Sequence, residues 1–454
     1  MTGPAPAWQL RAGVRWGLQH GLVRGLLARA ARDGDPQARL IVDPAVRDDP
    51  YPVQEQVRAR GPLVRGRLTW VTASHAVTKE VLRSPDFAAG GGQSALPPLV
   101  RALARWAHDP RAVGPLDPPS MLAVEPPDHT RYRRLVSKVF TARAVEQLRP
   151  QVQAVADELL DDLARAPAGQ PVDLVERYAT LLPVRVICRM LGVPADQEAR
   201  VLALGNGVAP SLDLGLGWPA YLQVQRSLHA FNDWLDEHLR RLRADPGPDL
   251  LSQLVHVEDD GGQLDHLELR TTAGLLLAAG FETTVNLLGN GAQLLLAEPD
   301  QLAVLQAEPA RWPDAVEEVL RYESPVQVTG RAAVRDTTVA GVPVAAGAHV
   351  TTLLAAANRD PEVFTDPQHF DVTRDDAREH LAFSGGRHFC VGAALARVEG
   401  EVGLSSLFER FPAMAAAPGA QRRPTRVLRG WERLPVVAVP VGAARPRVPP
   451  TPEG

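Results

Sequence analysis

Ten residues near the end of the chain, Phe383-Ser-Gly-Gly-Arg-His-Phe-Cys-Val-Gly392, hold one of only two cysteines. An alanine-rich helical pattern, Ala393 to Phe411, follows at once. Gly386 and Gly392 flank Cys390; glycines let a backbone turn sharply and come close to a flat ligand. The start of a helix offers free N–H groups and a partial positive charge, both of which favour a thiolate. A thiolate so placed is a metal ligand or a nucleophile. A nucleophile wants a base beside it, and His388 stands two residues away. An axial ligand to a flat macrocycle wants an open approach and an apolar guard, which Phe383 could supply.

A second set of reactive types lies in the most apolar stretch of the chain. Leu267 to Leu296 reads as one helix of about 30 residues, roughly 45 Å long. It contains Glu282, Asn286, Asn290 and Gln293, which makes it a buried core helix and not a membrane span. Its middle, Ala279-Gly-Phe-Glu-Thr-Thr284, puts an acid beside hydroxyls. Such groups are costly in an apolar helix without a role, and a threonine hydroxyl can take a carbonyl of the preceding turn and bend the helix. Two donors, His129 and Arg133, sit four apart on the helix opened by Pro126-Pro-Asp-His-Thr-Arg-Tyr-Arg-Arg134; on one face they suit a carboxylate. Glu318 and Arg321 are three apart on another helix, Ala315 to Tyr322.

The cysteine stretch resembles the haem-binding loop of the cytochrome P-450 family, Phe-x-x-Gly-x-x-x-Cys-x-Gly. Phe383, Gly386, Cys390 and Gly392 match its fixed positions; many bacterial members have Gly where Ser384 stands. The resemblance extends over roughly residues 41–442 and implies a mainly α fold with small β-sheets and a buried haem b. Cys390 would be the iron ligand, and His129, Arg133, Arg331 and His388 would hold the haem propionates. The Ala279–Thr284 segment is similar to the family's oxygen-activating helix: Gly280 would open a groove for dioxygen, Thr283 would hold a hydrogen bond to it, and Glu282 would relay protons. Glu318 and Arg321 would form a buried structural pair, with Arg374 as the third member. Ala279, Val326, Val328 and Trp431 would line the substrate pocket. The function implied is monooxygenation of an apolar small molecule, with electrons from a separate ferredoxin and an NAD(P)H-dependent reductase. A peroxide-driven variant would be expected to lack the acid–threonine pair, and a non-catalytic haem-binding partner protein would not need it; Glu282 and Thr283 are both present.

The rest of the chain must position these groups. It has 454 residues, 45% hydrophobic and 22% charged, an ordinary globular composition, and no repeat or long linker divides it. The net charge of −4 gives none of the basic excess that nucleic-acid binding wants. Cys188, in an apolar helix ending at Gly192 and Pro194, reads as core packing. Two distant cysteines fit a reducing, cytoplasmic setting, and Met1 to Leu10 lacks the basic start and apolar run of a secretory signal. A monomer is expected. Residues 1–40 read as an extension carrying a basic amphipathic helix: Leu10, Val14, Leu18, Leu22 and Leu26 recur every four residues among Arg11, Arg15, Arg24 and Arg29. The expected use of that stripe is packing on the body; the alternative is an interfacial membrane contact. Leu63 to Val71 reads as a hairpin, Leu99–His108 as a short helix, Ala144–Ala166 and Leu174–Leu191 as amphipathic helices, and 205–219 as a loop before a helix over Ala220–Leu242. Arg131, Arg134 and Lys138 are expected to form a docking patch. The Pro-rich stretch 443–454 is expected to be disordered.

Overall fold

The computed structural model describes residues 6–89, 98–167, 169–257 and 262–438; the 443–454 tail lies outside them. The helices that position the site are α1 (Pro6–Trp16), α2 (Leu22–Arg32), α3 (Pro98–Ala107), α4 (Asp128–Val139), α5 (Arg149–Ala164), α6 (Leu181–Met190), α7 (Trp218–Ala244), α8 (His266–Ala297), α9 (Trp312–Tyr322) and α10 (Ala393–Arg410). Strands β1 (Val64–Arg65), β2 (Trp70–Thr72), β3 (Phe87–Ala88), β4 (Thr329–Ala333) and β5 (His349–Thr352) make one mixed sheet in the order β1-β2-β5-β4-β3. The hairpin expected at Leu63–Val71 is there, with Val64 opposite Val71.

One large hydrophobic core joins α4 to α10, and α8 runs through it. Asp265 caps α8 by accepting from the Glu268 N–H while Glu268 accepts from the Asp265 N–H, which satisfies two of the free donors at its start. Small residues then let α8 lie close to its neighbours. A Cβ on Gly291 would sit 2.7 Å from Leu404, and α10 returns the fit with Gly400 against Leu287 and Gly403 against Leu288. Cys188 is fully buried, as expected of core packing.

Four expectations need correction. The 205–219 loop is shorter: a helix continues to Val208 and a 3-10 turn to Leu212. Gly205 does not break that helix; a Cβ there would stand 2.1 Å from Phe281, so it is a close-packing position. The Ala144–Ala166 pattern splits into Ala142–Glu146 and α5, with Pro150 in the first turn of α5. Arg131 is withdrawn from any docking patch, because it pairs with Glu268 and donates to the Gln263 carbonyl. Finally, the leucine stripe of the amino-terminal helices turns only in part to the body. Val14 and Leu18 are half-buried, but Leu10, Leu22 and Leu26 are about 60% exposed, while Ala12, His20, Leu27 and Ala30 are buried.

Candidate functional site

The cysteine loop is built as a tight turn ahead of α10. The Cys390 N–H donates to the Phe383 carbonyl at 3.0 Å, and the Phe389 N–H to Gly386 at 3.1 Å. Gly386 has φ +65°, and a Cβ on it would stand 2.2 Å from the Leu82 carbonyl oxygen, so glycine is required. Ser384, at φ +62°, takes the same left-handed conformation without being glycine. Gly392 is ordinary in backbone angle; a Cβ there would meet only the Cys390 sulfur, at 3.9 Å. Phe383 lies under the Arg397 guanidinium, 4.7 Å from the ring centre, and Arg397 is anchored on Glu317 at 2.5 Å. Cys390 is exposed, yet protein atoms crowd its sulfur. Desolvation raises its pKa, opposed by a hydrogen bond from the Gly392 N–H and by the charges of Arg133 and Arg397.

Around this loop α4, β4 and the cysteine turn bring cationic donors together. His129 is buried, its ring 4.3 Å from that of His388. Burial, then the positive charges of His388 and Arg133, push His129 down to about 4. Arg133 reaches the Phe389 carbonyl at 2.6 Å, beside the cysteine. Arg331 is 5% exposed, and its hydrogen bonds among the described residues are local, to Thr329 and to the Gly330 carbonyl. Desolvation pushes its guanidinium down to about 10. The anion serving this group is Glu125, which no sequence motif singles out. It accepts from Arg387 at 2.8 Å, His388 at 3.1 Å and the Ala89 N–H at 2.5 Å. Burial raises the pKa of Glu125, but these donors outweigh it and the net shift is downward.

In the middle of α8, Ala279 is exposed, Ala278, Gly280 and Thr283 are half-buried, and Phe281, Glu282 and Thr284 are buried. The Thr283 hydroxyl donates to the Ala279 carbonyl at 2.9 Å, and that of Thr284 to Gly280 at 3.2 Å. The back-bonding anticipated from the threonines is present in a helix that stays α-helical throughout. Glu282 is buried and accepts from Arg423 at 3.2 Å, while its Oε2 has no partner among the described residues. Desolvation raises its pKa against the opposing charge of Arg423. The open side of Gly280 faces Ile187 of α6, where a Cβ would stand 3.2 Å away. Glycine there lets α8 and α6 pack closely. A further acid, Glu399 on α10, is 1% exposed beside Thr284. Desolvation pushes it up to about 8, against the Thr284 hydrogen bond.

The remaining candidates fall into two groups. Val326 and Val328 are half-buried on the segment entering β4. The 425–431 loop lies on this segment: Val326 bridges Leu428, and the Gln327 N–H donates to Val427. The residue meeting Val326 is therefore Leu428. Trp431 instead stacks under Arg422, 3.7 Å from its guanidinium, and packs on Gly289 of α8. Glu318 and Arg321 are fully buried, joined at 2.6 and 2.8 Å, with Arg374 3.5 Å from the same carboxylate.

The donor set fits a haem. A flat dianionic ligand would give the crowded donors His129, Arg133, Arg331 and His388 the negative charge that Glu125 supplies, and Cys390 would provide a soft sulfur ligand beside them. Comparisons with known proteins agree. The cytochrome P450 family profile matches residues 313–425. A protein of Mycobacterium tuberculosis named cytochrome P450 140 is 52% identical over 440 residues, covering 96% of this chain and 99% of its own. The 6-deoxyerythronolide B hydroxylase of Saccharopolyspora erythraea is 44% identical over 318 residues, 69% of this chain and 76% of its own. Among solved structures, ligand-free CYP164A2 of Mycobacterium smegmatis superposes with a TM-score of 0.79 at 37% identity, covering 89% of this chain and 99% of that one.

Proposed function

The chain belongs to the cytochrome P450 family and is a monooxygenase of the bacterial type, and from that premise we propose that it inserts one atom of dioxygen into an apolar small organic molecule. In this reading Cys390 would ligate the iron of a haem b, and electrons would come from a separate ferredoxin and its NAD(P)H-dependent reductase, in the cytoplasm. The observation that carries this reading is the gathering of Arg133, Arg331, His129 and His388 beside one exposed thiol, with Glu125 as the sole close carboxylate among the described residues. The name of the 6-deoxyerythronolide B hydroxylase supports hydroxylation of an organic molecule as the reaction.

When bound, the haem supplies an iron that activates dioxygen, tuned by its thiolate ligand. The chain's own residues do the rest. Gly392 and Arg133 favour loss of the Cys390 proton, and burial opposes it, so ligation of a metal is what fixes the thiolate. Arg331 and His129, both desolvated, would hold the carboxylates of the haem. Thr283 carries its hydroxyl on the more open side of α8, and the adjacent Glu282, its pKa raised by desolvation and its Oε2 without a partner among the described residues, would serve to relay a proton. Arg423 keeps Glu282 in place. A cleft of about 580 Å³ lies beside the cysteine loop; Lys79, Arg83, Arg378, Glu379 and the exposed Phe389 line it, with Lys79 paired to Glu379 and Arg378 to Asp314.

Reconstitution with a ferredoxin, its reductase and NADPH tests the proposal, using apolar compounds chosen because they shift the haem spectrum. The product is expected to carry one atom from labelled dioxygen. In Thr283→Ala, electron use is expected to exceed product formation, the difference appearing as peroxide. Turnover with peroxide but none with electron donors would overturn the reading, and unchanged coupling would remove Thr283 from it.

A further inference from the structure

Seven of the thirteen exposed large hydrophobic side chains among the described residues fall in three short segments. Leu10, Leu22 and Leu26 belong to α1 and α2, Leu99, Leu103 and Trp106 to α3, and Leu214 to the loop after Leu212. Leu99, Leu103 and Trp106 are spaced four and three apart, hence on one helix face, and Leu99 is 85% exposed. Leu22 and Leu26 are likewise four apart. The segments touch one another. Arg11 of α1 lies 5.2 Å from the Trp106 ring, and Arg24 of α2 donates to the Gly215 carbonyl at 3.4 Å.

The charge on this surface has one sign. Residues 6–32 and 98–107 contain no Asp or Glu, whereas Arg11, Arg24, Arg29, Arg32, Arg101 and Arg105 are all exposed. The body-facing side is made of other residues. Arg15 reaches Tyr221 at 2.6 Å and Gln225 at 2.7 Å, and the Trp16 indole donates to the Leu216 carbonyl at 2.9 Å. The leucines are therefore not held outward for want of a docked helix; α1 is docked through its opposite side.

We propose that this exposed, acid-free face of α1, α2 and α3 docks peripherally on an anionic lipid bilayer, with Leu22, Leu26 and Leu99 seated at the headgroup–acyl boundary. Helices that carry leucine on one side and arginine around it, without being apolar enough to span, lie in that interface. Among the described residues no helix is long and apolar enough to cross a membrane. Each arginine near an anionic surface adds attraction that falls off within a Debye length. A second copy of the chain is the poorer occupant, because a two-fold contact would set arginine against arginine. The docked surface also touches the candidate pocket's wall. Leu214 adjoins Asp213, which accepts from the Arg426 and Val427 N–H groups, next to the Leu428 that bridges Val326.

The test is co-sedimentation of the full-length holoprotein with vesicles of phosphatidylglycerol and phosphatidylcholine in equal parts, against phosphatidylcholine alone. At low salt, binding to the anionic vesicles is expected to be about tenfold stronger or more. Leu22→Glu with Leu26→Glu, and separately Leu99→Glu, are expected to reduce it to the neutral-vesicle level while the reduced carbonyl spectrum stays unchanged. No binding to anionic vesicles would overturn the proposal, as would binding that both variants leave intact. A dimer in the ultracentrifuge that the same substitutions dissociate, without vesicle binding, would assign the face to a second copy.

Discussion

Two buried charge clusters in this protein are built on opposite terms. In the first, Arg321 makes five hydrogen bonds: two to Glu318 and one each to the carbonyls of Asn358, Pro367 and His369. Arg374 approaches the same carboxylate and binds three carbonyls of the same 365–369 segment. Glu318 and Asp376 balance the two guanidinium charges, and of their donors only Arg374 Nε, 3.5 Å from Glu318, lacks a hydrogen bond among the described residues. In the second, His129, Arg331 and His388 share one carboxylate, Glu125, Arg133 stands beside them, and desolvation depresses the pKa of all four basic groups. A saturated cluster supports structure. An unsaturated one is held together by the fold at a cost that a bound anion relieves.

The contrast is sharpest in what removal does. Glu318→Ala strands a fully buried guanidinium, and losing one partner of such a pair costs about 3–5 kcal/mol. We expect thermal unfolding of the apoprotein to show that loss, or soluble protein to vanish. A loss under about 1 kcal/mol would mean the carbonyls alone satisfy Arg321.

A pH titration separates the clusters next. His129 is depressed from 6.5 to about 4 in the folded protein, so between those values the unfolded chain binds more protons. Apoprotein stability is expected to fall as pH drops from 6.5 toward 4, by at most about 3 kcal/mol. His129→Gln should flatten that slope, and haem carboxylates should flatten it too, by favouring the protonated ring. An identical slope in the variant would place the depressed group elsewhere.

Arg331→Ala gives the smallest of these effects and the clearest reversal of sign. The apoprotein should lose no stability, because a desolvated cation with local bonds only is removed. Haem affinity should drop about tenfold, the worth of one charge-assisted hydrogen bond. Equal destabilisation with and without haem would make Arg331 a structural residue like Arg321.

Local patterns made much of this legible in the sequence. The cysteine turn, the long apolar helix and the acid–threonine pair are each set by residues within a few positions of one another, so local sequence reveals them. Even the departure at Ser384 marks a real demand, since the chain turns left-handed there. What stayed hidden depends on contacts between distant parts of the chain. Glu125 meets His388 across 263 residues, and Arg423 meets Glu282 across 141. Glu399 is distinctive only through its burial beside Thr284. Periodicity also defines a helix face without saying where it points. The leucines of α1 and α2 were visible as a stripe, but Trp16 and Arg15 decide which side meets the body.

The central claim is that the sulfur of Cys390 ligates a haem iron. The direct measurement is the reduced carbonyl spectrum of the haem-loaded protein and of Cys390→Ser. The account predicts a red-shifted Soret band in the first and its complete loss in the second, with the fold retained. A red-shifted band that survives in Cys390→Ser would contradict it.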